Sequence, residues 1–197
     1  VELVEERVRI GHLVLTLLRP PQADALIDEA AFDDDEFLPY WAELWPSGVA
    51  LAEAVAARNV RGLRVLELGA GLGLPSLAAA LGGADVLATD WAEDAVALLP
   101  ENAARNGASL RTVRVRWDEP DEIVAEAPWD LVLGADLLYE RRNADILLDL
   151  LPRLGTTVLL ADPGRPFERV FLERAEEHWA IETDTAGAGR IHRLRLR

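Results

Sequence analysis

The chain has 197 residues, 35 of them acidic and 20 basic, for a formal charge of −15, and it contains no Cys and no Met. No disulfide framework, thiolate metal site or cysteine nucleophile is therefore available, and a charge of this sign argues against a nucleic-acid partner, which needs a basic stripe. Half of the residues are hydrophobic and 28% are charged, so one packed domain is expected rather than a disordered chain.

Every basic residue is Arg and none is Lys. Codon usage in a GC-rich genome accounts for this simply, with adaptation to high salt as the alternative. Residues 1–9 are studded with Glu and Arg and lack the apolar stretch of a leader peptide. The apolar run at 13–18 is far short of the roughly 20 residues that span a bilayer. A soluble cytoplasmic protein with no membrane partner is the expectation.

In chain order, residues 8–14 predict two short strands meeting at Gly11. Pro20-Pro21 ends that unit, 23–31 predicts a short helix, and Asp33-Asp34-Asp35-Glu36 predicts a solvated loop. An aromatic stretch follows, Pro39-Tyr40-Trp41-Ala42-Glu43-Leu44-Trp45-Pro46-Ser47-Gly48, and then a helix over 49–58. From residue 63 the pattern is regular. Strands are expected at 63–68, 85–89, 110–117, 130–135 and 156–161. Helices are expected at 75–81, with Pro75 in the first turn, at 92–105, closed by Asn106-Gly107, and at 142–151 and 167–177. The tail predicts two strands, 179–185 and 191–196, joined through Gly187-Ala188-Gly189.

Alternating strands and helices imply an α/β fold. The expectation is a Rossmann-like, seven-stranded, mostly parallel sheet, with helices on both faces and the tail pair adding an antiparallel edge. One domain is expected, with an N-terminal accessory layer over 1–60 and the core over 61–197.

The chemistry concentrates at Glu67-Leu68-Gly69-Ala70-Gly71-Leu72-Gly73, between a strand and a helix. Alternate glycines let a backbone turn sharply and approach a ligand. The helix N-terminus behind them offers N–H groups and partial positive charge. Asp90 ends the next strand, where a carboxylate accepts from ribose hydroxyls. The spacing is G-x-G-x-G, and position 74 is Leu, so the dinucleotide fingerprint G-x-G-x-x-G is not met. An acid two residues before the first glycine suits the ammonium of S-adenosylmethionine, which has no pyrophosphate to cradle.

Several stretches carry a specific resemblance: Trp41 with Trp45-Pro46-Ser47-Gly48, Val65-Leu66-Glu67-Leu68-Gly69-Ala70-Gly71, Trp117-Asp118, Asp136-Leu137-Leu138-Tyr139, and Asp162-Pro163-Gly164-Arg165-Pro166. On these the chain resembles class I S-adenosylmethionine-dependent methyltransferases, and within them the seven-β-strand lysine methyltransferases. The last stretch is similar to one in the members that methylate the β subunit of electron transfer flavoprotein. The resemblance implies that Glu67, Gly69, Gly71 and Gly73 hold the methionine end of the cofactor and that Asp90, with Trp91 beside it, binds the ribose side. It implies that Trp117 and Asp118 flank the adenine and that Trp45 and Ser47 cover the cofactor. Asp136 and Tyr139 are the implied catalytic pair, facing the methyl and the incoming amine, with Asp136 also touching the cofactor.

Each residue also has a structural reading. Trp41, Trp45 and Trp117 could be core anchors, Asp162 a turn residue, and Arg165 either a substrate contact or the partner of a nearby carboxylate. The three His residues show no ligand spacing, and no metal is implied. The leading expectation is methyl transfer to a lysine side chain of a protein. The alternatives are methylation of a small-molecule amine or of another protein side chain, and a non-catalytic cofactor-binding module.

Overall fold

The computed structural model describes residues 2–21, 40–186 and 189–197. The expected helix at 23–31, the acidic run at 33–36 and the middle of the tail turn lie outside them. Strands β1 (Val4–Ile10) and β2 (Leu13–Arg19) form an antiparallel hairpin that turns at Gly11 and His12. The main sheet has seven strands: β3 (Arg64–Leu68), β4 (Asp85–Asp90), β5 (Arg111–Arg114), β6 (Leu131–Ala135), β7 (Thr157–Asp162), β8 (Trp179–Ala186) and β9 (Gly189–Leu196). Their order is β5-β4-β3-β6-β7-β9-β8. Pairing from β5 through β7 is parallel, while β9 lies antiparallel between β7 and β8. The antiparallel strand is thus one in from the edge. Burial explains the order: β9 buries Ile191, His192 and Leu194, whereas much of β8 is exposed.

Among the described residues, six α-helices surround the sheet: α1 (Pro46–Ala56), α2 (Leu74–Leu81), α3 (Glu93–Arg105), α4 (Asp121–Ala125), α5 (Arg141–Leu154) and α6 (Glu168–Ala175). Alternation along the strands divides the core. Val65, Leu131, Leu133 and Leu159 face a cluster built with α1, α2 and the hairpin. Leu66, Val132, Val158 and Leu160 face one built with α5 and α6. Both faces of the sheet are covered, which is why these strands read as unbroken apolar runs.

Helix α3 holds the hairpin through side-chain amides. Asn106 accepts from the Thr16 N–H at 2.8 Å and donates to the Thr16 carbonyl at 2.8 Å. Asn102, one turn earlier, does the same for Leu18 at 2.7 and 3.2 Å. Two asparagines four residues apart, one on α3 and one at its C-cap, thereby replace a neighbouring strand.

Several elements differ from expectation, among them the hairpin strands, which reach well beyond the expected 8–14. Helix α1 begins at Pro46 rather than 49, because a proline in the first turn needs no N–H partner. Strand β5 stops at Arg114, so Val115 and Trp117 lie beyond the strand expected over 110–117. Helix α4 was not foreseen; five residues show too little periodicity to reveal it. Among the described residues, no helix is long and apolar enough to cross a membrane.

The chain runs from β3 outward to β5 and then returns to β6 on the other side of β3. That reversal opens a crevice beyond the carboxyl ends of β3 and β6, where open α/β sheets bind ligands.

Candidate active site

A cavity of about 950 Å³ occupies that crevice, at the upper end of the size range for small-molecule and cofactor sites. The loop after β3 forms its floor. Gly69, Gly71 and Gly73 have φ of 62°, 50° and 79°, in the left-handed region. At Gly73 a Cβ would stand 2.3 Å from Leu99 Cδ2, and at Gly69 2.9 Å from Leu137 Cδ2 and 3.3 Å from Trp117 Cζ2. Side chains at either position would break both the turn and its packing. The contact also seats Trp117 against the loop.

Glu67 lies at the loop's base and is almost fully buried. Its Oε2 accepts from the Ser76 N–H at 2.8 Å and from the Ser76 hydroxyl. The N-cap of α2 is Gly73, which has no side chain to offer. Glu67 therefore takes the first-turn N–H at Ser76, which the sequence left open to a ligand. Burial pushes its carboxyl up to about 8, against the pull of Ser76.

Asp90 closes the same loop from the end of β4. Its Oδ2 accepts from the Gly71 N–H and its Oδ1 from the Ala92 N–H, each at 2.9 Å. Burial pushes its carboxyl above the ordinary range, and these donors pull it back. Trp91 lines the wall beside it, and its carbonyl accepts from Arg114 Nε at 2.7 Å.

Asp136, just past β6, is the only non-glycine residue with positive φ among those described, at 60°. Such backbone concentrates at functional sites. Its N–H donates to the Ala161 carbonyl at 2.8 Å. Its Oδ2 accepts from Ser47 Oγ at 3.0 Å and its Oδ1 from Arg165 Nε at 2.6 Å. Ser47 is fully buried beneath the cavity. It holds Asp136 rather than forming the wall at which the sequence placed it.

The mouth is aromatic. The Tyr40 and Tyr139 rings stand 5.9 Å apart, and Tyr40 and Trp45 6.3 Å. The Trp45 Nε1–H donates to the Tyr40 carbonyl at 2.9 Å, and the Arg165 guanidinium lies 5.4 Å from the Trp45 ring centre. Burial raises the Tyr139 hydroxyl above its ordinary value, with an Asn143 hydrogen bond opposing. Trp41 packs against the core on the hairpin side, and its carbonyl stands 3.0 Å from where a Cβ on Gly71 would lie.

The structure therefore brings Glu67, the three glycines, Asp90, Trp91, Trp117, Asp136, Tyr139 and Trp45 around one cavity. Asp118 sits on its rim, where Arg116, at 3.0 and 3.1 Å, lowers the carboxyl below its ordinary value. Sequence reasoning missed Ser76 and Tyr40 and left Arg165 open. The clue to Arg165 is Asp162-Pro163-Gly164-Arg165, a turn closed by the Gly164 and Arg165 N–H groups donating to Asp162 Oδ1 at 2.7 and 2.6 Å. Of the three His residues, His192 is buried, with Nε2 2.7 Å from Glu168 Oε1. Among the described residues, no group of three or more His, Cys, Asp or Glu is arranged to hold a metal.

Comparison with known proteins decides the family. A sequence model described as lysine methyltransferase matches residues 36–177. The chain belongs to this lysine methyltransferase family. It is 39% identical over 136 residues to the electron transfer flavoprotein beta subunit lysine methyltransferase of Xenopus laevis, covering 64% of this chain and 53% of that protein. It is 34% identical over 154 residues to a Xenopus laevis protein named histone-arginine methyltransferase METTL23, covering 73% of this chain and 64% of the other. The chain thus spans about half the length of the flavoprotein-directed relative. A 16S rRNA methyltransferase from T. thermophilus, solved with AdoMet and guanosine, shares the fold at a TM-score of 0.73 and 20% identity, over 99% of this chain and 51% of the other. The fold is that of class I methyltransferases.

Proposed function

We propose that the protein is an S-adenosylmethionine-dependent methyltransferase acting on a lysine amine of a protein, with the β subunit of electron transfer flavoprotein as the candidate substrate. One observation carries the reading: Asp136 and Tyr139 face the same cavity as the glycine loop and Asp90. Family membership and the name of the flavoprotein-directed relative support the acceptor.

The residues present fit the cofactor. Three buried carboxyl groups line the cavity, and two of them, Glu67 and Asp90, sit at the glycine loop and suit a cationic ligand. The arginines there, Arg114, Arg116, Arg142 and Arg165, already face carboxylates: Glu93 at 3.5 Å, Asp118 at 3.0 Å, Glu140 at 2.6 Å and Asp136 at 2.6 Å. A pyrophosphate, which needs uncommitted donors, is a poorer match.

When bound, S-adenosylmethionine supplies a methyl group on a positively charged sulfur. Glu67, Gly69, Gly71 and Gly73 hold its methionine end, Asp90 and Trp91 the ribose side, and Trp117 and Asp118 the adenine. Trp45 closes the site beside the acceptor, with Ser47 acting through Asp136. Such a transfer asks mainly for in-line approach at near-attack distance. Asp136 orients the amine, and Tyr139 presents a hydroxyl and a ring face to it.

Calorimetry tests the cofactor assignment. Binding of S-adenosylhomocysteine with no heat from NAD is expected, and NAD binding without S-adenosylhomocysteine binding would refute it.

A further inference from the structure

A lysine amine is charged near neutral pH and has no lone pair until it loses a proton. A bare carboxylate within about 4–6 Å would raise its pKa by about 1–3 units and keep it charged. Asp136 is not bare. Arg165 Nε donates to its Oδ1 at 2.6 Å, and the pair is mostly shielded from water, with Asp136 7% and Arg165 33% exposed.

Arg165 is held there from several sides. Its N–H donates to Asp162 Oδ1 at 2.6 Å, and its guanidinium faces the Trp45 ring. The Glu168 N–H donates to the Arg165 carbonyl at 3.1 Å. Glu168 is itself buried and bonded to Arg190 and to His192, whose other ring nitrogen lies 2.8 Å from Thr183 Oγ1. The start of α6 and the β8–β9 pair thus brace the Arg165 turn.

We propose that Arg165 is a positioning residue that neutralises Asp136, so that the site orients a lysine amine without holding it as an ammonium. The proposal rests on the lysine reading above. The charged and titratable groups facing Arg165 are Asp136 from the loop after β6, Asp162 from β7 and Tyr40 from the turn before α1. Glu43, Glu140 and Arg142 line the same cavity, the last two paired at 2.6 Å.

With Asp136 compensated, removal of the amine from water between the Tyr40 and Tyr139 rings, which stand 5.9 Å apart, lowers its pKa with no bare carboxylate to oppose it. The amine then releases its proton to solvent. Its lone pair forms the new N–C bond as the C–S bond breaks, and the electrons of that bond stay on sulfur.

The test is the pH dependence of kcat, at saturating S-adenosylmethionine, on a lysine-bearing protein substrate. Wild type, Arg165→Gln and Arg165→Lys are compared. Arg165→Gln should raise the midpoint of the acid limb by about one pH unit or more, the effect of uncovering one carboxylate. Activity near neutral pH then falls about 10-fold and recovers above about pH 9. Arg165→Lys keeps the cation and should keep the wild-type midpoint. S-adenosylhomocysteine affinity confirms that each variant is folded. An unmoved midpoint in folded Arg165→Gln, or a loss equal at every pH, overturns the proposal and leaves the lysine reading standing. Absence of lysine transfer by the wild type overturns both.

Discussion

Replacing Glu67 with Gln removes a buried titration while keeping a carbonyl to accept from Ser76. Burial raises the Glu67 carboxyl from 4.5 to about 8 in the folded protein, whereas the unfolded chain ionises near pH 4.3. Between those values the native state binds a proton that the unfolded state has released, so stability falls as pH rises. The contribution is fully present below the unfolded value and lost as pH passes through about 8. At about 1.4 kcal/mol per pH unit, the whole window is worth on the order of 5 kcal/mol. The assay is urea unfolding without cofactor, at steps from about pH 5 to pH 9, for wild type and variant. Wild-type stability should decline relative to Glu67→Gln across the window. The raised carboxyl of Asp90 is present in both chains and cancels to first order. Parallel profiles would refute the reasoning. A linked result concerns binding, because a cation beside Glu67 favours its ionised form. S-Adenosylmethionine binding below pH 8 should then release protons from wild type and fewer from the variant, as read by calorimetry in buffers of different ionisation enthalpy.

Asp90→Ala orphans the Gly71 and Ala92 N–H groups and removes the ribose acceptor, so S-adenosylhomocysteine affinity should fall at least about 10-fold; unchanged affinity in calorimetry would contradict the assignment. Asp136→Ala should abolish methyl transfer with cofactor affinity largely retained, and full activity would remove Asp136 from the site. Gly73→Ala places a Cβ 2.3 Å from Leu99 Cδ2 at a positive φ; a stability loss of about 1–3 kcal/mol is expected from denaturant melts. Asn102→Ala leaves the Leu18 N–H and carbonyl without their partner. About 1–3 kcal/mol should be lost there, with faster hydrogen exchange in β2.

Much of the architecture was legible because both sheet faces are covered. Val65-Leu66 and Leu131-Val132-Leu133 face opposite clusters, and so read as continuous apolar runs bounded by turns. The order of the tail strands was not legible, because it depends on which of two similar strands buries its side chains, a tertiary choice made by Ile191, His192 and Leu194. In the site, Glu67, the glycines and Asp90 follow from spacing along consecutive elements. Ser47 and Asp136 are 89 residues apart, and Arg165 and Asp136 are 29 apart. Neither contact leaves a local pattern, because strand order alone brings those loops together. The family resemblance implies Ser47 as a cofactor contact, whereas its hydroxyl donates to Asp136.

The most direct measurement is methyl transfer itself. The purified protein is incubated with methyl-labelled S-adenosylmethionine and the electron transfer flavoprotein β subunit, and the modified residue is located by mass spectrometry. The account predicts label on a lysine side-chain nitrogen, lost with Asp136→Ala. Label on arginine, or a β subunit left unlabelled while a small-molecule amine is methylated, would contradict it.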